Sequence, residues 1–129
     1  MDELELAKLV DAWIKGTLLG RDERGHATPV HEETWWALER PLNWKHDNEP
    51  ELLWRFILAV HEKDTSEELA MHLSAGPVED LMSVFGKAYI ERIEELARRD
   101  ARFKRMLCGT WQDAMSDDLW GRFQRARSD

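Results

Sequence analysis

The sequence predicts an all-α fold of about seven helices, and three observations carry that expectation. Apolar side chains recur at steps of three and four residues in one segment after another, the spacing that lines up a single helix face. No segment alternates apolar and polar residues with β-branched enrichment, and no Asn-Gly or Asp-Gly pair marks a hairpin. Proline, glycine and capping residues punctuate the periodic segments so that helices of about 10 to 15 residues are joined by short turns. Such helices form antiparallel pairs, arranged either as an irregular bundle or as a short right-handed HEAT-like stack.

Leu6, Leu9, Val10, Trp13, Ile14 and Thr17 set the first helix over Glu3 to Leu19. Gly20 to Pro29 has no period and reads as a solvated, mobile loop. Trp35, Trp36 and Leu38 belong to a short helix from Glu32 to about Glu39, closed by Pro41, which lacks a backbone donor. The polar run from Pro41 to Asn48, with Leu42 and Trp44, reads as a connection. Pro50 suits a first helical turn, and Leu52, Leu53, Phe56, Ile57 and Val60 continue it, with Trp54 and Leu58 widening the apolar arc. Thr65 and Glu68 have capping-box spacing for a helix carrying Leu69, Ala70 and Leu73. Gly76 is expected in a left-handed closing conformation and Pro77 at the start of the next helix. Val78, Leu81, Met82 and Phe85 lead to a kink at Gly86, and Tyr89, Ile90, Ile93, Leu96 and Ala97 continue to Arg99. Asp100 caps a helix holding Phe103, Met106, Leu107 and Trp111; Ser116 opens the last, with Leu119, Trp120 and Phe123, and the chain frays from Arg127.

At 129 residues the chain suits a single domain, with a Trp-rich segment over 1–47 packed on a helical-repeat-like body over 48–126. A net charge of −8 disfavours general attraction to phosphate backbones or anionic lipid and favours a basic partner. The charge is uneven: residues 1–84 carry −10 and residues 85–129 carry +2. One cysteine, Cys108, and an acidic N-terminus without a membrane-length apolar run point to the cytoplasm, with no membrane association.

No catalytic, metal or cofactor set stands out. His31-Glu32 and His61-Glu62 lack the second histidine one turn later that a zinc protease uses, since Trp35 and Thr65 occupy those positions. Cys108, between Leu107 and Gly109, reads as a small buried thiol, and the serines lack a nucleophile-elbow setting. Gly76, Gly86 and Gly109 are isolated, so no phosphate-binding glycine loop exists. Seven tryptophans are unusual: Trp13, Trp54, Trp111 and Trp120 follow apolar stripes and read as core, whereas Trp35, Trp36 and Trp44 either pack the N-terminal segment onto the helical body, the simpler reading, or form a partner surface. Arg98, Arg99, Arg102, Lys104 and Arg105 cluster at one junction without a groove-reading motif or a stacking platform, so a solvated face paired with Glu94, Glu95 and Asp100 explains them more cheaply than nucleic acid.

Ala75-Gly76-Pro77-Val78-Glu79-Asp80-Leu81, Ile90 to Glu94, Ala97-Arg98-Arg99-Asp100-Ala101-Arg102-Phe103 and Gly109-Thr110-Trp111-Gln112 together resemble an uncharacterised bacterial family of small helical domains of unknown function. Its members read Ala-Gly-Pro-Leu-Glu-Asp-Leu and Arg-Asp-Pro-Arg-Phe at two of these places. The likeness covers about residues 50 to 123, and Trp35-Trp36-Ala37-Leu38-Glu39 is similar to a Trp-rich segment of the same family. Val78 replaces the leucine and Ala101 the proline of the family pattern. The resemblance implies a stand-alone cytosolic domain and no assigned activity.

The resulting expectation is a non-enzymatic protein–protein interaction domain binding a basic partner, such as a toxin met by its inhibitor or immunity protein. Trp35, Trp36, Trp44, Glu79, Asp80 and Arg99 are the candidate contact residues, with no cofactor and no metal ligand. One alternative is a small enzyme or ligand-binding domain with a pocket near Gly76-Pro77, using Glu79 or Asp80 with Arg92 or Arg99. The other is nucleic-acid binding through Arg98 to Arg105.

Overall fold

The computed structural model describes residues 1–128, and seven α-helices account for most of them. They are α1 (Glu3–Leu19), α2 (Pro29–Trp44), α3 (Pro50–Lys63), α4 (Glu67–Leu73), α5 (Glu79–Arg99), α6 (Ala101–Met106) and α7 (Asp117–Ser128). A π-helical turn, Ser74–Val78, joins α4 to α5, and a 3₁₀ turn, Leu107–Gly109, follows α6. Among the described residues the one β-type feature is an isolated bridge between Arg21 and Ala27. The chain divides into two compact units at Leu69 and Ala70, inside α4. Residues 1–47 lie wholly in the first unit, and residues 48–126 are shared between the two.

In the first unit, the Asp2 side chain caps α1 by accepting from the Glu5 amide at 2.8 Å. That backbone bond holds the Asp2 carboxyl below its ordinary range. Leu6, Leu9, Val10 and Trp13 bury the inner stripe as the periodicity predicts. The loop after α1 is stitched rather than loose. Asp22 Oδ1 accepts from the Arg24 and His26 amides at 2.9 Å each, Gly25 takes φ +82°, and the Thr28 hydroxyl donates to the Leu19 carbonyl at 2.6 Å. Gly16 abuts Thr34 and Leu38, while Gly20 faces His31, so contact positions fall along α2 as they rise along α1 and the two helices are antiparallel.

Three local expectations need correction here. Helix α2 does not stop near Glu39: it runs through Pro41 to Trp44. Pro41 forfeits one backbone bond, but Thr34, Ala37, Pro41 and Trp44 make a buried seam at the 3–4 spacing, and Trp44 meets the Phe56 ring edge-on at 5.6 Å. Burying an indole, at roughly 25 cal/mol per Å² over 150 Å² or more, exceeds the proline cost of about 3 kcal/mol. Trp44 is therefore core, packed with Phe56 and, through Phe56, with Trp13 at 5.3 Å. The α4 cap is Ser66, whose hydroxyl accepts from the Leu69 amide at 3.4 Å, rather than Thr65.

In the second unit the chain does not break at Gly76 and Pro77. Gly76 is not left-handed; α4 passes into α5 through the π-turn. A proline ring collides with the carbonyl four residues back in an α-helix, and the wider π-turn relieves that collision while Pro77 and Val78 stay buried. The kink expected at Gly86 is present, with the non-helical backbone at Phe85 (φ −121°, ψ 15°). Gly86 lies against the end of the Leu119 side chain of α7, which would have to shift to admit a Cβ there. Asp100 caps α6 as expected, accepting from the amides of Arg102 at 2.9 Å and Phe103 at 3.1 Å. Buried Ser74 and Thr110 share a 2.7 Å hydroxyl bond, and Thr110 Oγ1 also donates to the Ser74 carbonyl at 2.8 Å.

Two residues expected inside are outside. Trp111 is 76% exposed, because α6 ends at Met106 and its apolar stripe does not extend that far. Cys108 is exposed on the 3₁₀ turn, which rotates it off the face that buries Leu107. Arg127 does not fray: it donates to the Thr110 carbonyl at 2.9 Å and lies 4.8 Å over the Trp120 ring. Asp129, also expected to fray, lies outside the described residues.

Candidate functional site

The extension of α2 through Pro41 decides which tryptophans are available to a partner. With Thr34, Ala37, Pro41 and Trp44 turned inward, a rotation of about 100° per residue places Glu32, Glu39 and Asn43 on the line directly opposite. Trp35 and Trp36 straddle that line, 45% and 50% exposed, and Leu42 extends the face at 47%. Glu32 and Glu39 are exposed and carry no hydrogen bond or ion pair with a described residue. Glu33 at the edge of the face meets Lys15 at 3.6 Å, and the His31 ring lies 5.5 Å from Trp35. Two large apolar rings flanking two free carboxylates make an apolar and acidic surface on the first unit.

The remaining candidates, Glu79, Asp80 and Arg99, belong to the second unit and are not gathered into one group. Glu79 and Asp80 occupy the first turn of α5, and Glu79 Oε1 accepts from the Trp111 amide at 3.0 Å. Arg99 lies in the last turn of the same helix, about 30 Å away at 1.5 Å rise per residue, where it meets Glu95 at 3.9 Å. Arg92 stacks over the Tyr89 ring at 4.7 Å. Arg92 is itself about 18 Å or more beyond Asp80 and Glu79 along α5 at that rise, so the helix does not bring Glu79 or Asp80 together with Arg92 or Arg99. Among the described residues, no group of three or more His, Cys, Asp or Glu side chains is placed to hold a metal ion. No described helix is long and apolar enough to cross a membrane.

The basic junction is the second feature. Gly86 abuts Leu119, Glu94 meets Arg122, and Ala97 and Arg98 share a cleft with Arg125 and Ala126, so α5 and α7 run in the same direction. Their C-terminal ends and the start of α6 surround a cleft of about 550 Å³. Arg98, Arg99, Lys104 and Arg125 line it. Glu94 is committed to Arg122, which donates to it at 2.6 Å and 3.1 Å. Those bonds hold the Glu94 carboxyl below its ordinary range against partial burial, and they hold the Arg122 proton more tightly.

Sequence reasoning located Trp35 and Trp36 but missed Glu32 and Glu39 between them, although all four lie within the expected helix and Glu32 and Glu39 align at a spacing of seven; the inward seam that turns this line outward appears only with Pro41 and Trp44. It missed Arg125 because nothing local places the last turn of α7 beside the end of α5. No curated protein and no solved structure matches the chain. The profile of a family of unknown function, DUF6869, matches residues 24–129, which include α2, the π-turn and the basic junction. The chain belongs to that family.

Proposed function

We propose that the outward face of α2 is a docking surface for a basic segment of another protein, and that the chain acts as a non-enzymatic binding domain. The observation that carries this reading is the half-exposure of two adjacent tryptophans around unpaired Glu32 and Glu39. Tryptophan is enriched among the residues that dominate interface energetics, and the face of its ring attracts arginine and lysine. A segment carrying both charges and an aliphatic side chain would cover the rings and satisfy the carboxylates together. The surrounding unit supports the sign of the partner: residues 1–69 hold 16 acidic and 8 basic side chains. Such a surface suits an inhibitor of a basic protein, such as a toxin, and the exposed thiol of Cys108 suits a reducing compartment such as the cytoplasm.

The test is a titration with a decapeptide of alternating arginine and leucine, followed through the indole N–H resonances of the seven tryptophans. The Trp35 and Trp36 signals, assigned with single Trp→Phe variants, are expected to shift while those of buried Trp13 and Trp44 stay fixed. The double variant Trp35→Ala, Trp36→Ala is expected to weaken binding at least about tenfold with unchanged helicity. No shift at millimolar peptide, a shift centred on Trp111, or equal binding of an acidic decapeptide overturns the reading.

A further inference from the structure

The basic cleft of the second unit is independent of the α2 face and suggests a different ligand. Four cations from three helices line it: Arg98 and Arg99 from α5, Lys104 from α6 and Arg125 from α7. The one carboxylate in the lining, Glu94, is occupied by two bonds from Arg122, which itself is not a lining residue. Asp100 at the corner turns its carboxylate to the amides of Arg102 and Phe103. Glu95 reaches Arg99 at 3.9 Å, with both side chains about two-thirds exposed, a pairing that contributes little. Arg98, Lys104 and Arg125 make no hydrogen bond or close ion pair with any described residue.

Basic residues at helix ends commonly offset the helix dipole, and two helices do end here. Their two C-termini together carry about one negative charge, and Glu95 and Asp100 add one each, against four cations, with Glu94 offset by Arg122. Arg127, which also belongs to the last turn of α7, is engaged elsewhere, on the Thr110 carbonyl and the Trp120 ring. An excess of positive charge therefore remains, gathered in a concave site rather than spread over a convex surface.

We propose that this cleft binds a small anion of the oligophosphate class, either free or as the phosphate tail of a nucleotide. Its volume of about 550 Å³ falls in the range of small-ligand pockets. Arginine pairs phosphate oxygens bidentately, and lysine adds a mobile point charge. The rest of the lining is Ala97, Ala101 and Ala126, whose methyl groups leave room for a chain of phosphates and offer no ring on which a base could stack. That absence of a stacking surface favours a small anion over a nucleic-acid strand.

Calorimetric titration of the full chain with inorganic tripolyphosphate in 50 mM salt tests the proposal. Saturable one-to-one binding is expected, weakening as salt rises. The double variant Arg98→Glu, Arg125→Glu is expected to lose at least about thirtyfold in affinity, and Lys104→Gln several-fold, while Arg24→Gln in the α1–α2 loop, which is not part of the cleft lining, changes it less than about twofold. If the charge reversals disturb folding by circular dichroism, Arg98→Gln with Arg125→Gln gives the same readout without repulsion. A nucleoside triphosphate binding more tightly than tripolyphosphate identifies a nucleotide tail; equal binding identifies the free anion. No heat at 5 mM tripolyphosphate, equal losses in Arg24→Gln, or tighter binding of a thymidine decanucleotide abolished by the same cleft variants overturns the proposal.

Discussion

Substituting Gly16 by alanine sets two known effects against each other at the contact that orients α2. In an isolated helix the change would stabilise by about 1 kcal/mol, because alanine loses less backbone entropy than glycine. Here the added Cβ would collide with the Thr34 hydroxyl and lie 2.9 Å from the Thr34 Cβ and 3.1 Å from Leu38 Cδ1. Carbon atoms prefer about 3.5–4.0 Å, so α1 and α2 would have to part by several tenths of an ångström to a full ångström. Thr34 does not rotate away freely, because its hydroxyl donates to the Val30 carbonyl at 2.7 Å. Overpacking of this kind costs about 1–3 kcal/mol, so the net expectation is a loss of about 1 kcal/mol. Thr34→Ala removes the hydroxyl, so Gly16→Ala is expected to cost at least about 1 kcal/mol less in that background. Urea unfolding followed by tryptophan fluorescence measures all four members of the cycle. A Gly16→Ala chain more stable than the parent, with no coupling to Thr34, would show that the helices do not approach as closely as described.

Two further perturbations address the second unit. Thr110→Val keeps the shape of a buried side chain but strands the Ser74 hydroxyl, so unfolding should become easier by about 1–3 kcal/mol, and Ser74→Ala should recover part of that loss in the double variant; a neutral Thr110→Val in thermal and urea melts would refute this. Because Arg122 holds the Glu94 carboxyl below its ordinary range, the stabilisation from that pair is complete above the unfolded-state value and is lost as pH falls through the lowered folded one. The stability gap between the parent and Glu94→Gln should accordingly be constant near neutrality and close below about pH 4.5, and a gap that persists unchanged down to pH 2 contradicts the assignment.

Local signals made much of the fold legible. The first helix, the proline start of α3, the Asp100 cap and the distortion beside Gly86 all follow from residues within one turn of the feature. The errors arose where distant partners outweighed local preference. Pro41 is a valid stop signal, overruled by Trp44 meeting Phe56, a residue twelve positions later and on another helix. Gly76-Pro77 is a valid break signal, absorbed by a π-turn that no periodicity announces. Trp111 fell on an extrapolated stripe, and Cys108 was read as buried from its neighbours Leu107 and Gly109; both readings failed where the chain tightened into a 3₁₀ turn. The site was partly legible: Trp35 and Trp36 stand out by composition and align with Glu32 and Glu39 within the expected helix, but which way that line faces was set by the buried seam through Pro41 and Trp44. The basic cleft was visible as a run of arginines, while its concavity required α7.

The corner at Asp100 has a consequence for the cleft beside it. The Asp100 amide closes α5 on the Leu96 carbonyl, and its side chain opens α6, so one residue ends one helix and begins the next. With no slack between them, the backbones bearing Arg98, Arg99 and Lys104 stand at a fixed bend before any anion arrives. Capture then demands freezing of side-chain rotations alone, a smaller entropic toll than folding a loop around the guest, and lengthening the joint by a single glycine would raise that toll without removing one positive charge.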